Sequence, residues 1–198
     1  DDAINIQYTS GTTGLPKGVQ LTNDNYLAWF KQAALLEWSS YGEGEAVMNA
    51  MPQFHVAGVN VGVLASLQGA KTVILRDIDP QLILKLIPEH KIAHAFWVPA
   101  VILMLTQQPN IREIDFSSLK MISYGASPIS EALLRTAGEI TGARFCQLYG
   151  LTETVGGGTY LPAEDHDPAR GKLVLDLADR DFIARNLARG EQHDVASG

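Results

Sequence analysis

At 198 residues, with 46% hydrophobic and 19% charged residues, the chain can bury a substantial core and is too apolar to remain unfolded. Its 15 basic against 22 acidic residues give a net charge of −7, the wrong sign for general nucleic-acid binding. An anionic small ligand must therefore be met locally, by a lysine, a helix N-terminus or a metal. The single cysteine, Cys146, excludes an internal disulfide and a cysteine metal cage and points to a cytoplasmic setting. The longest apolar run, Ala95–Leu105, is about half the roughly 20 residues of a membrane span. The chain opens on Asp1-Asp2-Ala3 without methionine, so the native start is expected upstream.

In chain order, short apolar or β-branched runs at Ile4–Thr9, Ala46–Ala50, Thr72–Leu75, His94–Val98, Lys120–Tyr124 and Arg144–Leu148 predict strands. Helical patterns lie between them. Leu27, Phe30, Ala34 and Trp38 recur at helical spacing after Thr22-Asn23-Asp24, side chains that can cap a first turn. Asp79-Pro80 and Ser127-Pro128 each pair a capping side chain with the proline favoured at the first helical position. Val59–Leu64 reads as an apolar helix. The alternation predicts an α/β fold, a mostly parallel sheet with helices on both faces. After Leu161 the character changes: Pro162–Arg170 is polar, and Leu173, Leu177, Ile183 and Leu187 are spaced as in an amphipathic helix. We therefore divide the chain into a domain over residues 1–171 and a divergent tail over 172–198.

Tyr8-Thr9-Ser10-Gly11-Thr12-Thr13-Gly14-Leu15-Pro16-Lys17-Gly18 follows a predicted strand and precedes a helix by a few residues, where a phosphate loop belongs. Glycines let backbone N–H groups approach phosphate oxygens, the hydroxyls add neutral donors, and Lys17 brings a mobile positive charge. It is neither a Walker A loop, in which the lysine directly follows the last glycine, nor a dinucleotide G-x-G-x-x-G. A flexible surface turn has the same composition.

Tyr8–Val19 resembles the phosphate loop of the adenylate-forming superfamily: acyl- and aryl-CoA synthetases, luciferases and the adenylation domains of peptide synthetases. Three later segments match in the same order, Met51–Gly58, Ser123–Pro128 and Tyr149–Thr154. All four start at the carboxyl end of a predicted strand, the edge where open α/β sheets place ligands.

The resemblance implies roles for these residues. Thr9, Ser10, Gly11, Thr12, Thr13, Gly14 and Lys17 would hold the β- and γ-phosphates of ATP. Gly125, Ala126 and Ser127, with Tyr149 opposite and Gly150 beside it, would bracket adenine. Thr152 would bond the α-phosphate region, Glu153 would hold Mg²⁺, and His55 would orient and stabilise charge beside the acyl group. Each has a plainer alternative: a packed histidine, a strand-end aromatic, a helix cap at Ser127, a solvated carboxylate at Glu153. His90, His94, His166 and His193 show no ligand spacing, and Cys146 reads as a small hydrophobe.

The implied activity is ATP-dependent formation of an acyl-adenylate followed by transfer to coenzyme A. Val59–Leu64 carries no acid to pair an α-ammonium, and the likeness is greatest to bacterial fatty-acyl-CoA synthetases, so a fatty acid is favoured over an amino acid. The resemblance covers the phosphate loop to just past Thr152-Glu153. The family's ribose-binding aspartate, its hinge and the C-terminal domain with its lysine have no match, so this chain alone is expected to be inactive in adenylation. Three other readings stay open: a nucleotide-binding remnant or interaction module without turnover, an aryl- or amino-acid adenylating domain, and a conventional P-loop NTPase.

Overall fold

The computed structural model describes residues 2–10 and 14–166. The tail expected over 172–198 and His193 lie outside the described residues.

The chain opens with a hairpin rather than a strand of the main sheet. β1 (Ala3–Thr9) pairs antiparallel with β2 (Lys17–Thr22) in a separate two-stranded sheet, Thr9 opposite Lys17. A helix does begin a few residues after the motif, as expected, but the strand that comes between, β2, was not expected. Alternation decides which side of the hairpin is covered: Gln7 and Leu21 are buried, whereas Ile4, Ile6 and Tyr8 are exposed.

α1 (Asn23–Ala33) starts at a reciprocal cap. The Thr22 hydroxyl accepts from the Asn25 N–H at 3.3 Å, and the Asn25 side chain accepts from the Thr22 N–H at 3.0 Å. The predicted helix was right in place and wrong in face. It ends at Ala33 and buries Tyr26, Trp29 and Ala33, leaving Leu27 exposed and Trp38 in a separate 3₁₀ turn, Glu37–Ser39. The set 26, 29, 33 has the same helical spacing, and its aromatic rings cover more apolar area than Leu27 would.

The main sheet has six strands: β3 (Ala46–Asn49), β4 (Lys71–Ile74), β5 (Ile92–Trp97), β6 (Met121–Gly125), β7 (Arg144–Tyr149) and β8 (Thr159–Leu161). Their order is β4-β3-β5-β6-β7-β8, parallel throughout except for β8, which returns antiparallel on β7. α2 (Val56–Leu67) joins β3 to β4, α3 (Pro80–His90) leads back to β5, and α4 (Pro99–Thr106) and α5 (Glu131–Thr141) make the later crossovers.

The pleat divides the core in two. Met48, Ile122 and Phe145 face α3, α4 and α5, while Val47, Met121 and Cys146 face α1 and α2. Helices thus cover both faces, as expected. The order reverses between β3 and β5, and the helices that follow these neighbours lie on opposite faces, opening a crevice at their carboxyl ends. One expected cap is corrected. Asp79 caps α3 through Gln81 and Leu82 with Pro80 inside the first turn, but α5 starts four residues after Ser127, capped by Ser130 through the Leu133 N–H at 3.2 Å.

The other edge of the sheet is held by charge. His94 Nε2 lies 2.8 Å from Glu45, whose second oxygen pairs with Lys120. The Tyr41 ring packs on His94 at 4.9 Å, and His94 Nδ1 is buried without a partner. Protonation would place a second N–H where no acceptor waits, and burial holds the His94 pKa below its ordinary 6.5. Hydrogen bonds from Lys120, above all, hold Glu45 near 2 instead of 4.5. Burial likewise lowers His166, whose Nδ1 bonds the Pro162 carbonyl at 2.8 Å and whose Nε2 meets the Tyr124 hydroxyl at 3.1 Å. Cys146 is buried, and its thiol is pushed up to about 12.

The shifts at His94, His166 and Glu45 share one sign. Each folded pKa lies below the unfolded one, so the stabilisation is complete above the unfolded value and is lost as pH falls. We expect a flat melting temperature between pH 7 and about 8, a decline on the acid side beginning near 6.5 from the histidines and a second between 4.5 and about 2 from Glu45, and a decline on the alkaline side above 9.0, where the Cys146 thiol ionises only once unfolded. In His94→Gln, which keeps a donor for Glu45 but does not titrate, circular dichroism melts should show a shallower first decline. An unaltered slope would remove His94 from the account.

Candidate active site

A cleft of about 570 Å³ opens at the carboxyl edge of the sheet beside the hairpin. Thr9, Ser10 and Lys17 reach it from the hairpin, His55 from the segment after β3, Ala126 from the end of β6, and Gly150, Thr152 and Glu153 from the segment after β7. Gly14, Gly125, Ser127 and Tyr149 do not line it. Gly11, Thr12 and Thr13 lie outside the described residues.

Lys17 is the first residue of β2, so its backbone is fixed by pairing with Thr9 while its side chain is exposed. β2 also touches the 3₁₀ turn Thr152–Thr154, which brings the strand carrying Lys17 to the turn carrying Glu153. β2, not a helix, directly follows the loop, and the helix N-terminus at the cleft is that of α2, capped by His55. The positive charge is the lysine's own.

His55 is the N-cap of α2. Its Nδ1 accepts from the Ala57 N–H at 3.2 Å, so in the neutral ring the proton sits on Nε2 and that N–H is a donor. The side chain is exposed at the cleft. α2 itself is seated tightly. Asn49, 1% exposed at the end of β3, donates to the Gly58 carbonyl at 2.8 Å, and a Cβ on Gly58 would lie 2.8 Å from the Met51 oxygen and closer still to the Pro52 carbonyl.

Glycine is needed for the same reason at the ends of β6 and β7. A side chain on Gly125 would strike the Leu148 carbonyl, and one on Gly150 would strike the Gly156 carbonyl. The smallness of Gly125 thus serves strand approach, with Ala126 beyond it exposed in the left-handed region at φ 68. Tyr149 is 54% exposed at the end of β7, a ring with a free face.

Glu153 is an exposed carboxylate beside the Thr152 hydroxyl. Among the described residues no three His, Cys, Asp or Glu side chains gather to cage a metal. A cation held at Glu153 must complete its shell with water and ligand oxygens, the habit of Mg²⁺, so the residue fits that ion.

The sequence reading missed the apolar part of the cleft. Trp29 from α1, Trp38, Val61 and Leu64 from α2, Phe96 from β5 and Leu148 from β7 line it, with Asn60 among them. Asn60 carried a signal, being the one polar side chain in Val56–Leu64, since a polar residue inside an apolar run is the informative exception. The tryptophans had none.

A cleft between a glycine- and threonine-rich hairpin and the carboxyl edge of a mostly parallel sheet is the mark of a nucleotide-dependent α/β enzyme. A family model described as AMP-binding enzyme matches residues 1–178, and the chain belongs to that family. It is 36% identical over 202 residues to the fatty acid–[acyl-carrier-protein] ligase ScoC of Streptomyces coeruleorubidus, an alignment covering 100% of this chain and 38% of that protein. The N-terminal domain of FACL13 from Mycobacterium tuberculosis superposes with a TM-score of 0.77 at 30% identity, over 83% of this chain and 41% of that one. The o-succinylbenzoate coenzyme A synthetase of Bacillus subtilis, solved with ATP and magnesium, superposes at 0.70 with 28% identity, over 80% and 32%. The chain thus spans well under half the length of these relatives. Among the described residues no helix is long and apolar enough to cross a membrane.

His55 has a structural and a chemical part, and substitution separates them. His55→Ala removes the cap and should cost about 0.5–2 kcal/mol in urea unfolding, whereas His55→Asn, itself a good cap, should stay near the parent. Equal losses in both would mean that the imidazole packs rather than caps.

Proposed function

We propose that the protein to which this chain belongs activates a carboxylic acid, foremost a fatty acid, with ATP and Mg²⁺, and transfers the acyl group to the thiol of coenzyme A. The observation that carries this reading is the single cleft shared by Lys17, His55, Thr152 and Glu153, with an apolar lining beside them. In the first step a carboxylate oxygen bonds to the α-phosphorus of ATP and the bond to the bridging oxygen breaks, releasing pyrophosphate. In the second the thiol, losing its proton, attacks the acyl carbon and AMP leaves.

Both partners of the first step are anions, so the work of the site is positioning and spreading charge. Lys17, with Thr9, Ser10, Gly11, Thr12, Thr13 and Gly14, grips the β- and γ-phosphates and moves with the leaving pyrophosphate. Thr152 donates toward the α-phosphate, and the His55 Nε2–H, fixed by the bond its other nitrogen makes with Ala57, donates where negative charge builds between acid and phosphate. Mg²⁺ held by Glu153 supplies further neutralisation. Gly125, Ala126 and Ser127 form one side of an adenine slot, with Tyr149 and Gly150 as the other. The apolar lining takes the acyl body. We take residues 1–171 as part of the adenylate-forming domain and the protein as cytoplasmic.

A carrier-protein thiol is the second reading for the acceptor, favoured by the likeness to ScoC, a fatty acid–[acyl-carrier-protein] ligase. Comparing coenzyme A with a phosphopantetheinylated carrier as acceptor decides between them.

The decisive experiment is exchange of labelled pyrophosphate into ATP by the full-length gene product, with fatty, aryl and amino acids supplied in turn. Fatty acids should support the fastest exchange, and exchange with no acid of the panel would overturn the reading. Lys17→Ala should lower kcat/KM for ATP by about 10²–10³-fold, the usual cost of one lost transition-state donor. Glu153→Gln should raise the Mg²⁺ concentration for half-maximal rate without altering the melt, and a parental Mg²⁺ dependence would take Glu153 out of the site.

A further inference from the structure

Val155 follows the Thr152–Thr154 turn with φ 54 and ψ 32. A β-branched residue in the left-handed region is strained and persists only where its surroundings impose the conformation, a situation that gathers at functional sites. The local bonds of the turn do part of this. The Thr154 hydroxyl accepts from the Leu151 N–H at 2.9 Å and donates to the Leu151 carbonyl at 3.0 Å, while Val155 and Gly156 donate to the Thr152 and Leu151 carbonyls at 3.1 and 2.8 Å.

One restraint comes from far away in the chain. The Asn60 side-chain amide donates to the Val155 carbonyl at 2.5 Å, across 95 residues of sequence. Asn60 is only 5% exposed. Its Oδ1 is buried without a partner, so an apolar residue would suit the packing of α2 better, and the Nδ2–H bond is what the amide contributes. Asn60 stands on the helix that His55 caps, and both residues line the cleft with Thr152 and Glu153.

We infer that Asn60 is a positioning residue of the adenylation site. It clamps Val155 in its left-handed conformation, aims Thr152 and Glu153 at the nucleotide, and locks that turn to the helix bearing His55, so the acid side and the phosphate side of the cleft keep one register. The inference rests on the adenylation reading for its chemistry, not for its geometry.

The test uses the full-length protein with Asn60→Leu, Val155→Gly and the double variant, and Asn60→Ser as a smaller replacement should the leucine not fold. Two readouts are needed: amide hydrogen exchange of peptides spanning residues 151–157, and the Mg²⁺·ATP concentration for half-maximal pyrophosphate exchange. In Asn60→Leu the 151–157 amides should lose protection while the rest of the sheet keeps it, and the half-saturating Mg²⁺·ATP concentration should rise about tenfold. Adding Val155→Gly should recover most of that rise, because glycine reaches φ near 54 unaided. Unchanged protection in 151–157, or no recovery in the double variant, would overturn the inference. Wild-type protein that performs no acid-dependent exchange would instead fell the functional reading, and the hydrogen-exchange arm would still decide the clamp.

Discussion

The site depends on how closely α2 is seated on the end of β3. Asn49 donates to the Gly58 carbonyl from a fully buried position, and Gly58 lies so near the carbonyls of Met51 and Pro52 that no side chain fits. This contact sets the angle at which the helix leaves the sheet. The cleft residues of the helix follow from it, among them His55 at the cap, Val56 in the first turn and Asn60 one turn on. The same rule governs Gly125 against Leu148 and Gly150 against Gly156. At each place backbone meets backbone, and a methyl group would push two elements apart at the edge where the cleft forms.

Charge is distributed with similar economy. The chain carries −7 overall, so a polyphosphate is repelled at long range and must be captured at short range. Lys17 provides the cation on a strand rather than at a helix end, and the histidine that caps α2 turns a neutral N–H toward the cleft. Glu153 lines the same cleft and adds negative charge there, so an anion seated beside it would need a cation between them. The ion pair of Glu45 with Lys120 and the hydrogen bond of Glu45 with His94 lie at the opposite edge of the sheet, where they hold strand ends together.

The central parallel strands β3, β5 and β6 were legible because they are buried on both sides and read as nearly unbroken apolar runs. β2 was not. Lys17–Thr22 is half exposed and begins with the lysine and glycine of the loop motif, so its local chemistry spoke of a phosphate site while its pairing with β1 is a matter of tertiary contact. The face of α1 was misread because Leu27 and Tyr26 both satisfy a helical period, and the bond from Asn5 to the Tyr26 hydroxyl at 2.9 Å belongs to the hairpin, invisible along the helix. Ser127-Pro128 looked like a helix start, yet Ser130 supplies the cap. Apart from Asn60, the polar residues of the cleft were readable through their motifs. Its apolar wall was not, since Trp29, Trp38 and Phe96 come from three elements whose packing decides that they meet.

Strain and smallness divide the labour around the cleft. Where backbones must touch, glycine stands. Where the chain must turn sharply beside the cleft, non-glycine residues are held in the left-handed region, Ala126 after β6 and Val155 after the Glu153 turn. Glycine there would reach the same turn without strain, though from a wider set of conformations. A strained residue under an external clamp behaves oppositely, because it has one conformation while the clamp holds and none nearby when it fails. Preorganised donors serve a reaction between two anions only if their positions are fixed before charge develops. A rigid, partly strained rim is therefore better suited to such a step than a flexible one.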